Sequence, residues 1–316
     1  MYSMPRIAQI IGGAGTGKTT ELLRLMELNL QIYHDPLQIG FVSFTRAARQ
    51  VATNRASAQF GLPQGELERV GWFRTLHSVC YRVLGIGKEL LTDNAESHRW
   101  AEQALGQKVG PASADFSELV FEDQSDADIA LRLWSTACAR LAPLRAVWDE
   151  ATRTDDRVPP YIWGKKLIER YEQAKRLDGR PDFTDLLARV AGYRLDVDGP
   201  ERCTPEGELP ELPVWFFDEQ QDTSALLDAV CHRLIETANN VYVVGDPFQN
   251  IYEWAGSDSK HFLAWPVAES KRKIMPKSYR CPRPILALGE RILRRCSDYW
   301  DRKIEPADHE GTIERD

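Results

Sequence analysis

The sequence has 316 residues, enough for two or three compact units, each with its own buried core. Hydrophobic residues make up 43% and charged residues 28%, a balance typical of a globular protein rather than a disordered chain. The formal net charge is -7, so the surface as a whole does not attract a polyanion. Any contact with nucleic acid must therefore come from a local groove.

The six cysteines are scattered and form no C-x-x-C pair, which favours free thiols in a reducing compartment over a disulfide frame or a zinc site. The sequence starts without an apolar signal segment and has no apolar run of membrane-spanning length. We therefore expect a cytoplasmic protein that does not enter a membrane.

The first elements predict a parallel sheet. The apolar run from Ile7 to Ile11 predicts a buried strand that stops at two glycines, and the spaced leucines after Lys18 predict a helix. A second apolar run, from Ile39 to Phe44, predicts another buried strand followed by a helix. Alternation of this kind is typical of α/β folds in which helices cover both faces of the sheet.

Two later runs, Val214 to Phe217 and Val241 to Val244, predict further strands of the same sheet. Each is followed by acidic residues, and open α/β sheets build their sites at that end of the strands. Residues 85–177 show helical periodicity and predict an inserted helical domain. The stretch from Asp196 to Pro213 is rich in proline, glycine and acids, which predicts a surface loop.

Residues 12–19 have the sequence Gly-Gly-Ala-Gly-Thr-Gly-Lys-Thr, which fits the phosphate-loop pattern G-x-x-x-x-G-K-[ST] between a strand and a helix. Glycines let several backbone N–H groups face one anion, and the helix N-terminus adds partial positive charge. Lys18 would reach the β- and γ-phosphates, and the Thr19 hydroxyl would hold Mg²⁺. The predicted nucleotide-binding residues in this segment are Gly12, Gly13, Ala14, Gly15, Thr16, Gly17, Lys18, Thr19 and Thr20.

The acidic pair Asp218-Glu219 follows a predicted buried strand and supplies the second half of such a site. Asp218 would bind Mg²⁺, and Glu219 would orient and deprotonate the attacking water. An exposed acidic turn is the alternative, which the apolar run before the pair disfavours. Gln249, just after another strand, could sense the γ-phosphate, although on its own it is a weak indication. The sequence shows no signature for the lid and acceptor pocket of a phosphate-loop kinase.

Together these segments resemble the UvrD/Rep family of superfamily 1 DNA helicases, in the family's order and through nearly the whole chain outside the helical insertion. Besides the phosphate loop and the D-E-Q-Q-D-T segment at 218–223, the matching segments are S-F-T-R-A-A at 43–48, T-L-H-S at 75–78, D-F-T-D-L at 182–186, the segment 245–256 containing Q-N-I-Y, and S-Y-R-C at 278–281.

The resemblance implies ATP and Mg²⁺ as cofactors and single-stranded DNA as partner, with movement from 3′ to 5′. It implies that Tyr279 stacks on the adenine and that Arg280 reaches the γ-phosphate. It also implies a DNA track, because aromatic faces suit the stacking of any base. That track consists of Phe44, Thr45, His77, Tyr252 and Trp254. Core packing is the alternative role for each aromatic side chain.

The sequence also departs from the family. A glutamine that reads adenine usually precedes the first motif, whereas here Gln9 lies within the first predicted strand. Ala255 stands where the family usually has arginine, and Gln220 where it has an aromatic residue. Motifs V and VI are missing, and with them a second γ-phosphate arginine and half of the DNA track. A basic run between Lys271 and Arg283 could face the cleft between the two cores or be a solvated face.

The resemblance thus implies an α/β fold: a RecA-like P-loop NTPase core with an inserted helical domain and the beginning of a second RecA-like domain. We predict the first core at residues 1–84 and 178–272, the helical domain at 85–177 and the incomplete second domain at 273–316. The expected function is an ATP-driven DNA helicase or translocase whose cycle requires a partner chain or a missing C-terminal half that supplies the missing motifs. A nucleotide-dependent DNA-binding switch with little hydrolysis remains the alternative, and a non-motor remnant is disfavoured by the intact site residues.

Overall fold

The computed structural model describes residues 5–43, 46–63, 65–87, 89–92, 94–110, 125–296 and 298–313, with only the backbone for residues 46–48. The strands in these ranges are β1 (Arg6–Ile11), β2 (Ile39–Val42), β3 (Trp72–Arg74), β4 (Tyr193–Arg194), β5 (Glu201–Arg202), β6 (Val214–Phe217), β7 (Asn240–Gly245), β8 (Arg272–Ile274), β9 (Lys277–Pro282) and β10 (Glu305–Ala307).

The helices in the same ranges are α1 (Lys18–Tyr33), α2 (Arg46–Phe60), α3 (Glu66–Val70), α4 (Leu76–Leu84), α5 (Ala95–Leu105), α6 (Asp126–Ala139), α7 (Leu144–Thr152), α8 (Tyr161–Asp178), α9 (Phe183–Ala191), α10 (Ala225–Leu234), α11 (Ser259–Leu263) and α12 (Arg283–Leu293). None of them is long and apolar enough to cross a membrane.

In the described part of the chain, six strands form one parallel sheet in the order β3-β2-β6-β7-β1-β8. Every residue of β2 and β6 is buried, as expected for strands covered on both faces. The predicted α/β fold with a parallel sheet is therefore confirmed.

Alternate side chains of β6 enter the two cores on opposite faces of the sheet. Phe216 packs with Met26 and Leu30 of α1, whereas Trp215 and Phe217 pack in the core that contains α4, α9 and α10. This alternation follows from the period of two residues along a strand. The loops that follow the strands begin at the carboxyl edge of the sheet.

A third core lies among α5, α6, α7 and α8, within the region predicted to be helical. Its largest fully buried side chain, Trp148, donates from its indole N–H to the Pro159 carbonyl at 3.0 Å. The predicted domain boundaries stay predictions.

A buried ion cluster connects this helical unit to the sheet through the segment D-F-T-D-L. Asp182 and Asp185 form a capping box at the start of α9, in which each side chain accepts a hydrogen bond from the other's backbone N–H. Both carboxylates also contact the ammonium of Lys175 in α8, at 2.8 and 2.9 Å. The segment therefore has a structural role in this chain.

Several details differ from the sequence prediction. β3 and β8 were not predicted, because three-residue strands leave no readable pattern. The stretch predicted to be a surface loop contains β5, which pairs with β4 in an antiparallel hairpin. The second strand ends at Val42 rather than at Phe44, which lies outside the described residues. β8 spans the boundary predicted at residues 272 and 273 and joins the first sheet, next to β1.

Candidate active site

The phosphate loop connects β1 to α1 and is held by its own side chains. Thr16 Oγ1 and Lys18 Nζ both donate to the Gly13 carbonyl, at 2.9 and 3.3 Å. Gly15 has a φ of 69°, and a Cβ there would lie 2.3 Å from the Cβ of Arg280, so a glycine is needed for both backbone and space. Gly17, which precedes α1, makes no side-chain cap, so the first N–H groups of the helix are available to an anion such as phosphate.

The carboxyl ends of three neighbouring strands bring the predicted catalytic residues to this loop. β7 pairs with both β1 and β6, with Ile11 opposite Gly245 and Phe217 opposite Val243. The segments that contain Lys18, Asp218-Glu219 and Gln249 follow these strands. Burial raises the pKa of both Asp218 and Asp246, and the positive charge of Lys18 offsets part of that rise at each carboxyl.

Asp218 is 1% exposed, and its environment fits a metal ligand. Its Oδ1 accepts from the Glu219 N–H at 3.1 Å, whereas Oδ2 is buried without a hydrogen-bond partner among the described residues. Burial and the Glu219 charge raise the pKa of Asp218 to about 7 despite Lys18. An unpaired buried carboxylate oxygen is costly unless a cation binds it. Thr19, half-buried in the first turn of α1, offers a hydroxyl of the type that Mg²⁺ accepts, and Thr20 next to it is exposed.

Glu219 is held in a strained backbone conformation. Its φ is 53° and its ψ 43°, a left-handed geometry that costs a residue with a side chain about 1–3 kcal/mol. Its Oε2 accepts a hydrogen bond from Gln221 Nε2 at 2.9 Å. Strain of this kind persists where surrounding contacts enforce it and concentrates at functional sites.

Gln249 is half-buried in the loop after β7, and its backbone N–H donates to the Asp246 carbonyl at 2.9 Å. The same loop is tied to the acidic turn by Asp222, whose carboxylate accepts from the Ile251 backbone N–H and from Gln221 Nε2 at 3.1 Å. Burial and the Glu219 charge raise the pKa of Asp222 to about 7. The acidic turn and the loop of Gln249 are therefore connected directly.

β9 lies against the outside of the phosphate loop. The Tyr279 N–H donates to the Gly15 carbonyl, and Ser278 Oγ donates to the Ala14 carbonyl, each at 2.8 Å. The Tyr279 side chain is 69% exposed and Arg280 is exposed as well. Both side chains predicted to contact ATP from this segment thus stand beside the loop and are accessible.

A sequence model of the UvrD/REP helicase N-terminal domain matches residues 3–266, which include the sheet, the phosphate loop and the acidic turn. The chain belongs to the UvrD/REP helicase family. Among similar proteins, DNA helicase II of Escherichia coli strain K12 is 24% identical over 318 residues, which cover 93% of this chain and 39% of the relative.

Two further relatives of this UvrD/REP chain are named ATP-dependent DNA helicase PcrA. The Bacillus subtilis strain 168 protein is 24% identical over 310 residues, covering 96% of this chain and 39% of its own. The protein of Staphylococcus epidermidis strain RP62A is 25% identical over 306 residues, covering 96% and 40%. The chain spans about two fifths of the length of these relatives.

The residues predicted to contact DNA are placed unevenly in this UvrD/REP chain. Tyr252 is half-buried and Trp254 is 36% exposed, with ring centroids 6.4 Å apart. His77 is half-buried edge-on against Phe183, with centroids 5.5 Å apart, and burial lowers its pKa to about 4, so it is neutral near pH 7. The other two, Phe44 and Thr45, lie outside the described residues.

The segment that carries Tyr252 and Trp254, here called the aromatic loop (residues 250–256), is braced from two sides. Asn250 Oδ1 accepts from the Tyr252 N–H at 3.0 Å and from a neighbouring serine hydroxyl at 2.6 Å. Arg140, which follows α6, donates to the Glu253 carbonyl at 3.2 Å. The helical unit therefore supports the aromatic loop directly.

Two expectations about charged and polar residues need refinement. Gln9 is fully buried, with Nε2 donating to the Phe262 carbonyl at 2.6 Å and Oε1 accepting from Arg272 at 2.8 Å, so it is engaged within the fold. The basic run is partly neutralised, because Lys273 pairs with Glu21 at 2.8 Å. It is a mixed surface rather than a uniform positive face.

Sequence reasoning assigned no role to Gln221, Asp246 or Arg302, all of which are buried beside the site. Gln221 and Asp246 lie within segments that matched the family, so their positions were visible but their contacts were not. Arg302 belongs to no motif, and no feature of its polar surroundings could have singled it out.

Proposed function

We propose that this chain is the nucleotide-binding part of an ATP-driven motor that tracks single-stranded DNA from 3′ to 5′. The observation that carries the proposal is the convergence of Lys18, Asp218 and Glu219 beyond the carboxyl ends of β1 and β6, which lie on either side of β7, with one carboxylate oxygen of Asp218 buried and unpaired in the described structure. The names of the relatives, ATP-dependent DNA helicases among them, support the choice of DNA.

The residues would divide the work of hydrolysis as follows. Lys18 and the N–H groups at the start of α1 would bind the phosphates, while Thr19 and Asp218 would hold the Mg²⁺. Glu219 would take a proton from water as the water oxygen attacks the γ-phosphorus and the bond to ADP breaks. Bound magnesium would neutralise charge on the phosphate oxygens.

The contacts from β9 would add nucleotide recognition. Arg280 would extend toward the γ-phosphate, and an arginine in that role is worth about 10³–10⁵ in rate in related phosphoryl-transfer enzymes. Tyr279 would supply a face for the base. Gln249 would contact the γ-phosphate. Because the aromatic loop directly follows Gln249 in the sequence, this loop would respond to whether the γ-phosphate is present.

DNA would bind along Tyr252 and Trp254, with His77 as a neutral neighbour and with Phe44 and Thr45 as further candidates. Each stacked base contributes about 1–3 kcal/mol. The net charge of -7 gives no general attraction to DNA, so we expect affinity to depend on these local contacts.

The test is ATP turnover with and without single-stranded DNA, together with binding of a fluorescent ATP analogue. We expect Lys18→Ala to abolish binding or turnover, whereas Lys273→Ala, which removes an exposed lysine on the neighbouring strand β8, leaves both unchanged. Unchanged affinity and turnover in Lys18→Ala would refute the site assignment. ATP-dependent DNA affinity without DNA-stimulated turnover would favour the alternative, a nucleotide-dependent DNA-binding switch.

Strand separation is expected to require more than this chain. The relatives are about two and a half times its length, and the match does not extend to their remaining parts. We propose that those parts, in the same polypeptide or in a partner chain, complete the motor. Strong unwinding by the purified 316-residue chain would contradict this proposal.

A further inference from the structure

A continuous chain of polar contacts connects the proposed general base to a residue 83 positions later. Gln221 Nε2 donates to Glu219 Oε2 at 2.9 Å, and Gln221 Oε1 accepts from the Asp246 N–H at 3.0 Å. The Asp246 carboxylate in turn forms an ion pair with the guanidinium of Arg302. Gln221, Asp246 and Arg302 are all buried, with at most 6% of their surface exposed.

The geometry around Gln221 leaves it little freedom. A Cβ on Gly245, the last residue of β7, would lie 2.7 Å from Gln221 Oε1 and 3.2 Å from its backbone nitrogen. Only a glycine therefore permits the glutamine to lie this close to the strand. Both ends of the Gln221 amide are engaged, so its orientation fixes where the Glu219 carboxylate can point.

Arg302 lies in the segment after β9 and α12 and forms the last contact in this series of polar contacts. Its guanidinium faces the Asp246 carboxylate, lies 4.7 Å from the centre of the Phe248 ring, and has a further contact with Glu290 of α12 at 3.4 Å. Its Nε is buried without a hydrogen-bond partner among the described residues.

A buried arginine with one unsatisfied nitrogen is a poor means of stabilising a fold. Removing the charges of an ion pair from water is costly. A protein in which well-packed apolar residues replace a buried ion pair is often as stable or more stable. The position of Arg302 is better explained by what it orients. Its partner Asp246 heads the loop of Gln249, and the backbone N–H of Asp246 holds the glutamine that contacts Glu219.

We propose that Arg302 is a positioning residue for ATP hydrolysis, acting through Asp246 and Gln221 on the Glu219 carboxylate. This inference rests on the function proposed above. The pair Arg302–Asp246 fixes the backbone at the head of the loop, that backbone fixes the Gln221 amide, and the amide holds the base toward the attacking water. Through Arg302, the segment that follows α12 would thereby influence catalysis.

The experiment compares steady-state ATP turnover and fluorescent-ATP affinity in the full chain. In Arg302→Gln we expect kcat to fall by roughly 10- to 100-fold, because a small displacement of a catalytic group can lower the rate by that much. Nucleotide affinity should stay within about twofold. Arg302→Lys, which can keep the pair with Asp246, should recover part of the loss. Arg294→Gln, which changes an exposed arginine at the end of α12, is the matched control and should leave kcat unchanged.

Two further variants separate this inference from the function on which it rests. Glu219→Gln should abolish turnover, and normal turnover in that variant would refute the proposed function itself. Gln221→Met should lower kcat as Arg302→Gln does, and the double variant should fall no further than Gln221→Met alone, because both act through one chain. If Glu219→Gln is inactive but Gln221→Met and a folded Arg302 variant retain kcat within about twofold, Arg302 does not position the base. If Arg302→Gln fails to fold, Arg302→Lys and Gln221→Met decide by the same criterion.

Discussion

Replacement of Lys175 by methionine should destabilise the protein by about 3–5 kcal/mol, the range measured when one partner of a buried ion pair is removed. The Lys175 side chain is 5% exposed, and its ammonium contacts Glu172, Asp182 and Asp185 at 2.8–2.9 Å. Burial alone lowers its pKa, but the three carboxylates raise that pKa well above the usual value, so the lysine is charged. Methionine keeps most of the volume and leaves three carboxylates without their cation.

The free energy of unfolding would be measured by urea denaturation, with tryptophan fluorescence as the signal. Trp134 is a local reporter, because its indole N–H donates to Glu172 at 2.7 Å. Lys165→Met is the matched control, since Lys165 pairs with Asp198 at 2.7 Å on the surface, where such pairs contribute about 0–1 kcal/mol. A loss below about 1 kcal/mol in Lys175→Met, equal to that of the control, would show that the cluster does not hold the two units together.

Three further predictions concern the proposed ligand contacts. Between pH 6.5 and 5, His77 stays neutral in the folded protein but gains a proton in the unfolded chain. The free energy of unfolding, measured with urea, should therefore fall by about 1–2 kcal/mol as the pH drops over this range. His77→Gln should remove that part of the pH dependence. Trp254→Ala should weaken single-stranded DNA binding by about 1–3 kcal/mol in fluorescence anisotropy, whereas Ile251→Ala on the same loop should not, and equal losses would argue against stacking. Tyr279→Ala should weaken binding of a fluorescent ATP analogue by a similar amount, and Tyr279→Phe should restore it; normal affinity in the alanine variant would remove Tyr279 from the site.

The buried strands were predictable because each is a mostly apolar run that ends in glycine or acids. The runs Ile7 to Ile11 and Val214 to Phe217 became β1 and β6, which both have a neighbouring strand on each side. β8 was not predictable, because Arg272, Lys273 and Ile274 are largely exposed at the sheet edge and carry no hydrophobic period. Its pairing with β1 is set by tertiary contacts that a local pattern does not encode.

The same distinction applies to the candidate site. The phosphate loop and the acidic pair are contiguous in sequence and follow strands, so the spacing itself indicated their chemistry. The contact between Asp246 and Arg302 joins residues 56 positions apart, and neither side chain is unusual in its own segment. Relationships of that kind arise from folding and become visible only when the chain is assembled in three dimensions.

The hydrogen bonds from Ser278 and Tyr279 to the phosphate loop have a consequence for how the site is built during synthesis. Ser278 lies 264 positions after Ala14, whose carbonyl it engages. A nascent polypeptide that has emerged only through the acidic turn would carry the glycine-rich motif without this external brace. We therefore expect the phosphate loop to acquire its final shape late, when β9 has left the ribosome and packs against it. The first motif in the sequence would then be among the last to become rigid.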